Sequence, residues 1–248
     1  MTEIYDSIGQ NYRLYRQPDL RIAASIARAL GSTKTVVNVG AGAGSYEPRD
    51  RRVVAVEPSL EMIRQRSADA APVIRASAND LPFRDRSFDA ALAALTLHHW
   101  PDRARGLREM RRVAGRVVLY TWDPGAGSHA QFWLTADYFP EIVELDRDLF
   151  PSIDEYRAVL GAVEVIPVAI PHDCTDGFLG AYWRRPQAYL DAGVRGAIST
   201  FWKVPNVERG LGRLRRELED GTWMRRHGRV MTQTELDLGY RLVVAASS

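Results

Sequence analysis

The chain has 248 residues, enough for one large domain or a core with a sizeable insertion. Its 46% hydrophobic and 26% charged residues are those of an ordinary soluble globular protein, and 33 Lys and Arg against 31 Asp and Glu give no electrostatic case for nucleic acid. The single cysteine, Cys174, excludes an internal disulfide and a cysteine-based metal site; no apolar run approaches the roughly 18 residues of a membrane span, and the acidic start is unlike a secretion signal, so the cytoplasm is the expected compartment.

In chain order, Ile22, Ile26, Ala29 and Leu30 recur at helical spacing over 18–30, and Gly31 is a natural stop. A buried strand over 35–40 runs into Gly40-Ala41-Gly42-Ala43-Gly44. A second apolar run, 53–56, ends in Glu57, and Ser59 reads as the N-cap of a helix over 60–66. Short strands over 72–76 and 87–95, an Arg-rich amphipathic helix over 103–113 and a strand over 116–122 follow. Continuous apolar strands alternating with helices predict a parallel sheet covered on both faces. After Trp122 the alternation weakens. Trp122, Trp133, Trp183, Trp202 and Trp223, five of the six tryptophans, lie there. A sixth strand is expected over 161–170, with Pro167 marking an edge, and a last strand over 237–246. Between them lie helical stretches near 186–201 and 206–220.

The expectation is therefore a single α/β domain, 1–248, with a Rossmann-like, seven-stranded, mostly parallel sheet flanked by helices. Residues 1–122 form its core, and the aromatic-rich segments 123–160 and 171–235 are inserted as a lid over the substrate.

A strand, a glycine turn and a second strand capped by a carboxylate make a socket for a nucleoside. Bare backbone approaches the ligand, and Glu57 can accept hydrogen bonds from a ribose diol. A dinucleotide turn, G-x-G-x-x-G, needs glycine at position 45, where this chain has Ser45. Its G-x-G-x-G instead resembles motif I of the class I S-adenosylmethionine (AdoMet) methyltransferases. Further along come A-x-D-L-P-F-x-D-x-S-F-D at 78–89 and Leu97-His98-His99-Trp100, and near the start Y-D-x-x-x-x-x-Y at 5–12. Taken in order, these motifs resemble the UbiE-like small-molecule methyltransferases, the methyltransferase type 11 family.

The resemblance implies roles residue by residue. Gly40, Ala41, Gly42 and Gly44 would wrap the methionine part of AdoMet, and Glu57 would hold the ribose. Pro58 and Met62 would flank the adenine, Ser77, Ala78 and Asn79 would read its edge, and Leu95 would sit under the sulfonium. Tyr12 and Arg16 would close over the cofactor carboxylate, with Arg13 as a substitute counterion. Where the family opens motif I with Asp or Glu, this chain has Asn38, an amide that can still accept a bond from the methionine ammonium without charge assistance. Where the family has Asp before the adenine-segment alanine, it has Ser77. Both changes are expected to weaken affinity without abolishing binding.

Methyl transfer is an in-line displacement that needs alignment more than covalent help, and near-attack positioning can contribute about 7–11 kcal/mol in favourable cases. For a hydroxyl or acidic carbon acceptor a histidine is the usual base. His98 and His99, after the fourth strand, are the first candidates; His172 with Asp173 is a weaker dyad, and His129 and His227 complete the set. Tyr5, Trp122, Tyr182 and Trp183 are the candidate substrate contacts. The expected partner is a small-molecule acceptor methylated on O, N or C by a monomer or homodimer, with no metal and no membrane. A nicotinamide dehydrogenase, an RNA methyltransferase and a non-catalytic nucleoside-binding module are the rival readings.

Overall fold

The computed structural model describes residues 12–127 and 132–246, the side chains of Tyr12 and Arg13 excepted. Seven strands form one sheet. β1 (Thr35–Val39), β2 (Arg52–Val56), β3 (Val73–Ile74), β4 (Phe88–Ala94) and β5 (Ala114–Trp122) run parallel, while β9 (Tyr240–Ala246) is antiparallel to both β5 and β6 (Glu164–Pro167). The spatial order is β3-β2-β1-β4-β5-β9-β6. Chain direction across the sheet reverses between β1 and β4, the point at which open α/β sheets leave a crevice beyond their carboxyl ends.

The strands alternate faces. Val36, Leu92, Val118 and Tyr120 pack with α2 (Leu20–Leu30) and much of the C-terminal half, whereas Val37, Val39, Ala91 and Leu119 pack against α4 (Arg103–Val113) and α6 (Ile153–Leu160). Helix α2 forms because Ile22, Ile26, Ala29 and Leu30 make one buried stripe; the Asp19 carboxylate caps its first turn through Arg21 N, and Gly31 at φ 66° ends it. Burying each of Ile22, Ile26 and Leu30 stabilises the fold by about 1.5–3 kcal/mol. α1 (Tyr12–Tyr15) precedes it, and α3 (Leu60–Arg64) starts at Ser59, whose hydroxyl accepts from Met62 N.

The inserted halves depart from expectation in detail. The strand expected over 161–170 is split: β6 ends at Pro167, and β7 (Ile170–Pro171) leaves the sheet to pair with β8 (Glu235–Leu236) in a separate ribbon. Two prolines without N–H groups bracket that change of partner. The last strand starts at Tyr240 rather than 237, because Asp237 and Gly239 (φ 86°) turn the chain into it. The helical stretch near 186–201 is three short turns, Pro186–Leu190, α7 (Ala192–Gly196) and Ser199–Lys203. Asp191 restarts it by accepting from Gly193 N and Val194 N, and a Cβ on Gly193 would meet the Tyr15 hydroxyl at 2.0 Å. Between β5 and β6 lie α5 (Glu141–Leu149) and α6; α8 (Val207–Glu219) and α9 (Thr222–His227) follow α7. Among the described residues no helix is long and apolar enough to cross a membrane.

Candidate active site

The glycine turn leaves β1 at the crevice. Gly40, Gly42 and Gly44 all take positive φ, 69°, 52° and 99°. Gly40 is the most constrained, since a Cβ there would lie 2.2 Å from Thr96 Oγ1, in the turn after β4. The loop is held to β2 from both sides. Gly40 N and Ala41 N donate to the Val56 carbonyl, and Gly42 N donates to Glu57 Oε2 at 2.8 Å. Glu57 Oε1 accepts from Ser59 N at 3.0 Å, so each carboxylate oxygen keeps a lone pair for a ribose hydroxyl. Burial pushes the Glu57 carboxyl up from its usual range, against the pull of those two N–H bonds and Arg66.

The rest of the nucleoside side follows the same stretch of chain. Met62 is buried, its Cε 3.3 Å from where a Gly42 Cβ would be; Pro58 is exposed at the rim. Ser77 Oγ accepts from Asn79 N at 3.2 Å, which shapes the turn around buried Ala78. The Asn79 Nδ2 donates to the Asp102 carbonyl, leaving Oδ1 as an acceptor, the polarity an exocyclic amine requires. Asn38 is 1% exposed at the end of β1, its Nδ2 3.4 Å from Glu47 Oε1. Glu47 in turn takes Arg66 Nη2 at 2.7 Å and Ala71 N at 3.0 Å, a buried ion pair that the sequence motifs left unread.

Beyond Thr96 the crevice widens into a cleft lined by Arg16, Leu95, His98, His99, Trp122, Phe132, Asp146, Phe150, Phe178, Thr200 and Tyr240, among others. Leu95 sits at φ 48°, a left-handed conformation for a branched-side-chain residue, held there by Leu95 N donating to the Tyr120 carbonyl. The turn Leu97–His99 is seated by Trp100, whose ring occupies the space of a Gly106 Cβ. His98 and His99 lie ring to ring with centroids 3.8 Å apart, and His98 also faces Phe150 at 4.6 Å. The His98 Nδ1 is buried and makes no hydrogen bond among the described residues. Burial comes first at both rings, reinforced at His98 by His99, Arg16 and Lys203 and at His99 by Lys203 and Arg16; His98 lies well below the usual histidine value and His99 is pushed down to about 4.

Arg16 reaches the cleft but is also tied down, its Nε 2.5 Å from Asp176 Oδ1. The other Asp176 oxygen accepts from the Tyr46 hydroxyl at 2.8 Å, and Gly177 N donates to the Tyr15 carbonyl. One buried carboxylate thus joins the segment before α2, the glycine loop and the C-terminal insertion. Cys174 lies beside it, its thiol pushed up to about 12 by burial.

Other expected residues fall elsewhere. Trp183 is fully buried, donating to the Ile170 carbonyl, and packs the insertion's own core; Tyr182 lines a separate groove with Tyr15, Cys174 and Arg185. His172 contacts Asp173 at 3.2 Å on an exposed edge shared with Arg21, and His227 contacts Asp137 at 3.0 Å; neither lines the cleft. Tyr5 and His129 lie outside the described residues, as does the side chain of Tyr12. Asp146 and Thr200, hydrogen-bonded at 3.2 Å across the cleft wall, had no local sequence signal.

Residues 37–116 match the family described as a methyltransferase domain. The solved structure of an Anabaena variabilis protein, assigned as a methyltransferase of an antibiotic biosynthesis pathway, is 33% identical, covers 94% of this chain and 99% of its own, and superposes with a TM-score of 0.83. The chain belongs to the class I AdoMet-dependent methyltransferases. Over part of its length it is similar to UbiE-like enzymes. The demethylmenaquinone methyltransferase of Corynebacterium urealyticum is 32% identical over 44% of this chain and 53% of its own length. A rice 2-methyl-6-phytyl-1,4-hydroquinone methyltransferase is 30% identical over 49% of this chain and 36% of its own. The chain thus spans about half or less of the curated relatives it matches. For this methyltransferase the residues present fit AdoMet. The glycine loop brings bare backbone to the crevice at positive φ, Glu57 offers two oxygens, and Asn38 and Asn79 each turn an amide oxygen away from a protein partner.

Proposed function

We propose that the chain methylates a small, partly apolar acceptor at a hydroxyl oxygen, or at a carbon activated by one, with His98 taking the proton. AdoMet supplies a methyl carbon made electrophilic by its sulfonium and leaves as S-adenosylhomocysteine. The observation that carries the reading is the unpartnered, buried Nδ1 of neutral His98 in an aromatic cleft that adjoins the glycine loop through Leu95 and Thr96.

A histidine held so far below its usual value is a weak base, and it suits a proton that is already acidic. Arg16, one of the charges that depress it and itself part of the cleft wall, favours an acceptor oxyanion beside it. An amine acceptor would bring another positive charge into that field and fits less well. Trp122, Phe132, Phe150 and Phe178 would hold an apolar body, and Asp146 with Thr200 would receive a polar end. The relatives named for a phytyl hydroquinone and for demethylmenaquinone support that acceptor class, although their likeness to this chain covers less than half of it. Segments 123–160 and 171–235 act as the cover that excludes water, since most of these walls come from them.

The test is calorimetric titration with AdoMet, S-adenosylhomocysteine and NAD, then methyl transfer to matched panels of phenolic, hydroquinone and amine acceptors. Micromolar binding of the two adenosyl ligands and transfer to hydroxyl acceptors, with the transfer alone falling sharply in His98→Ala, is the expected result. Tight AdoMet binding with no transfer to any panel member would make the protein a nucleoside-binding module instead.

A further inference from the structure

We propose that Glu47 is a positioning residue for the cofactor's ammonium group: it fixes the Asn38 amide with its oxygen turned toward the cofactor. The inference rests on the cleft being the AdoMet site. Asn38 lies next to the last residue of β1, where the family resemblance expects a carboxylate, which offers acceptors whichever way it turns. An asparagine does not, because turning it over swaps acceptor for donor.

Here the choice is made by a neighbour. The Asn38 amide lies 3.4 Å from Glu47 Oε1. Beside a carboxylate only the NH2 group is tolerated, since Oδ1 there would set two acceptors against each other. The oxygen must face away, and among the described residues no hydrogen bond reaches it. Glu47 cannot swing aside. Its side chain is 8% exposed, with Oε1 also taking Arg66 Nη2 at 2.7 Å and Oε2 taking Ala71 N at 3.0 Å. Arg66 Nη1 continues to the Gly42 carbonyl at 3.2 Å, so the same bracket that orients Asn38 also pins the glycine loop. Tyr46 at φ 60° turns the chain so that Glu47 enters this pocket. Arg66 offsets much of the Glu47 charge, so the contribution is chiefly one of orientation.

The test compares two ligands that share the nucleoside and the sulfur. AdoMet carries the ammonium; 5′-methylthioadenosine lacks the whole amino-acid tail. Glutamine at position 47 can offer Asn38 either a donor or an acceptor. Glu47→Gln should therefore raise the AdoMet Kd about tenfold while the methylthioadenosine Kd moves less than about twofold. Adding Asn38→Asp to Glu47→Gln should restore AdoMet affinity, since a carboxylate needs no orienting partner. Equal weakening of both ligands without rescue would mean that Glu47 only supports the loop, and the proposal falls. If the unmodified protein binds neither ligand, the cofactor reading itself fails and takes the proposal with it.

Discussion

The two ends of the crevice are assembled in opposite ways. From Asn38 to Asn79 the cofactor end is nearly one continuous stretch of chain, closed by short-range contacts such as Gly42 to Glu57 and Ser77 to Asn79. The wider end, proposed for the acceptor, draws its lining from Arg16, Leu95, Trp122, Asp146, Phe178 and Thr200, in segments up to 184 positions apart. A local site binds through backbone geometry and tolerates little change of shape. A dispersed one binds through side chains, each replaceable at a graded cost. A chain can therefore keep one cofactor while its acceptor drifts.

That contrast can be broken. The largest effect is expected at the acceptor end, where His98→Ala should lower kcat by about 10²–10⁴-fold, the range of a lost general base, with the AdoMet Kd unchanged in calorimetry. Unchanged kcat would move the base elsewhere, first to His99. At the cofactor end Gly40→Ala should cost more than about 100-fold in AdoMet affinity, because its Cβ meets Thr96 Oγ1 at 2.2 Å and φ is 69°. Glu57→Gln should cost about 10–100-fold, since hydrogen bonds to a charged acceptor are each worth about 1.5–3 kcal/mol. With its carboxyl pushed upward, Glu57 also makes AdoMet affinity fall, as pH is lowered, sooner than a free glutamate near about 4.3 would. A titration of Kd against pH checks the sign.

The smallest effect separates the ends by stability. His98 and His99 have folded pKa values below the unfolded ones, so the unfolded chain binds more protons and stability declines as pH drops. The decline starts near the unfolded value of about 6.5, with a slope of at most about 1.4 kcal/mol per pH unit for each ring. For His99 it runs to about 4. Thermal melts of the His98→Gln/His99→Gln protein should show a shallower slope; an identical slope would mean the rings are not buried neutral.

Legibility in the sequence divides along the same line. The sheet, α2 and α4 follow from periodicity, and the glycine turn with Glu57 follows from spacing, because each is decided within some 20 residues of chain. Glu47 was visible beside the glycines, but its importance depends on Arg66 and on the face that Asn38 presents, which only the packed strands define. Trp183, expected at the substrate, lies outside the cleft for the opposite reason. Aromatic density marks an apolar environment without saying whether it is core or pocket, and the Trp183 ring, hydrogen-bonded to the Ile170 carbonyl, is core. Asp146 and Thr200 are 54 positions apart and meet only through the fold.

The Asp176 junction carries a convenient accident. The chain's one thiol, Cys174, is sealed against it, with Sγ 3.7 Å from the Asp176 carbonyl and an acidity too weak to react at neutral pH. Although it borders the groove with Tyr182, the thiol is 1% exposed, so a disulfide reagent reacts with it fully only when the junction parts. The slow release of coloured thiolate would then serve as a clock on that opening, read without any label. If AdoMet slows the clock, the glycine loop and the acceptor wall breathe together, and the enzyme would take up its two substrates in a preferred order.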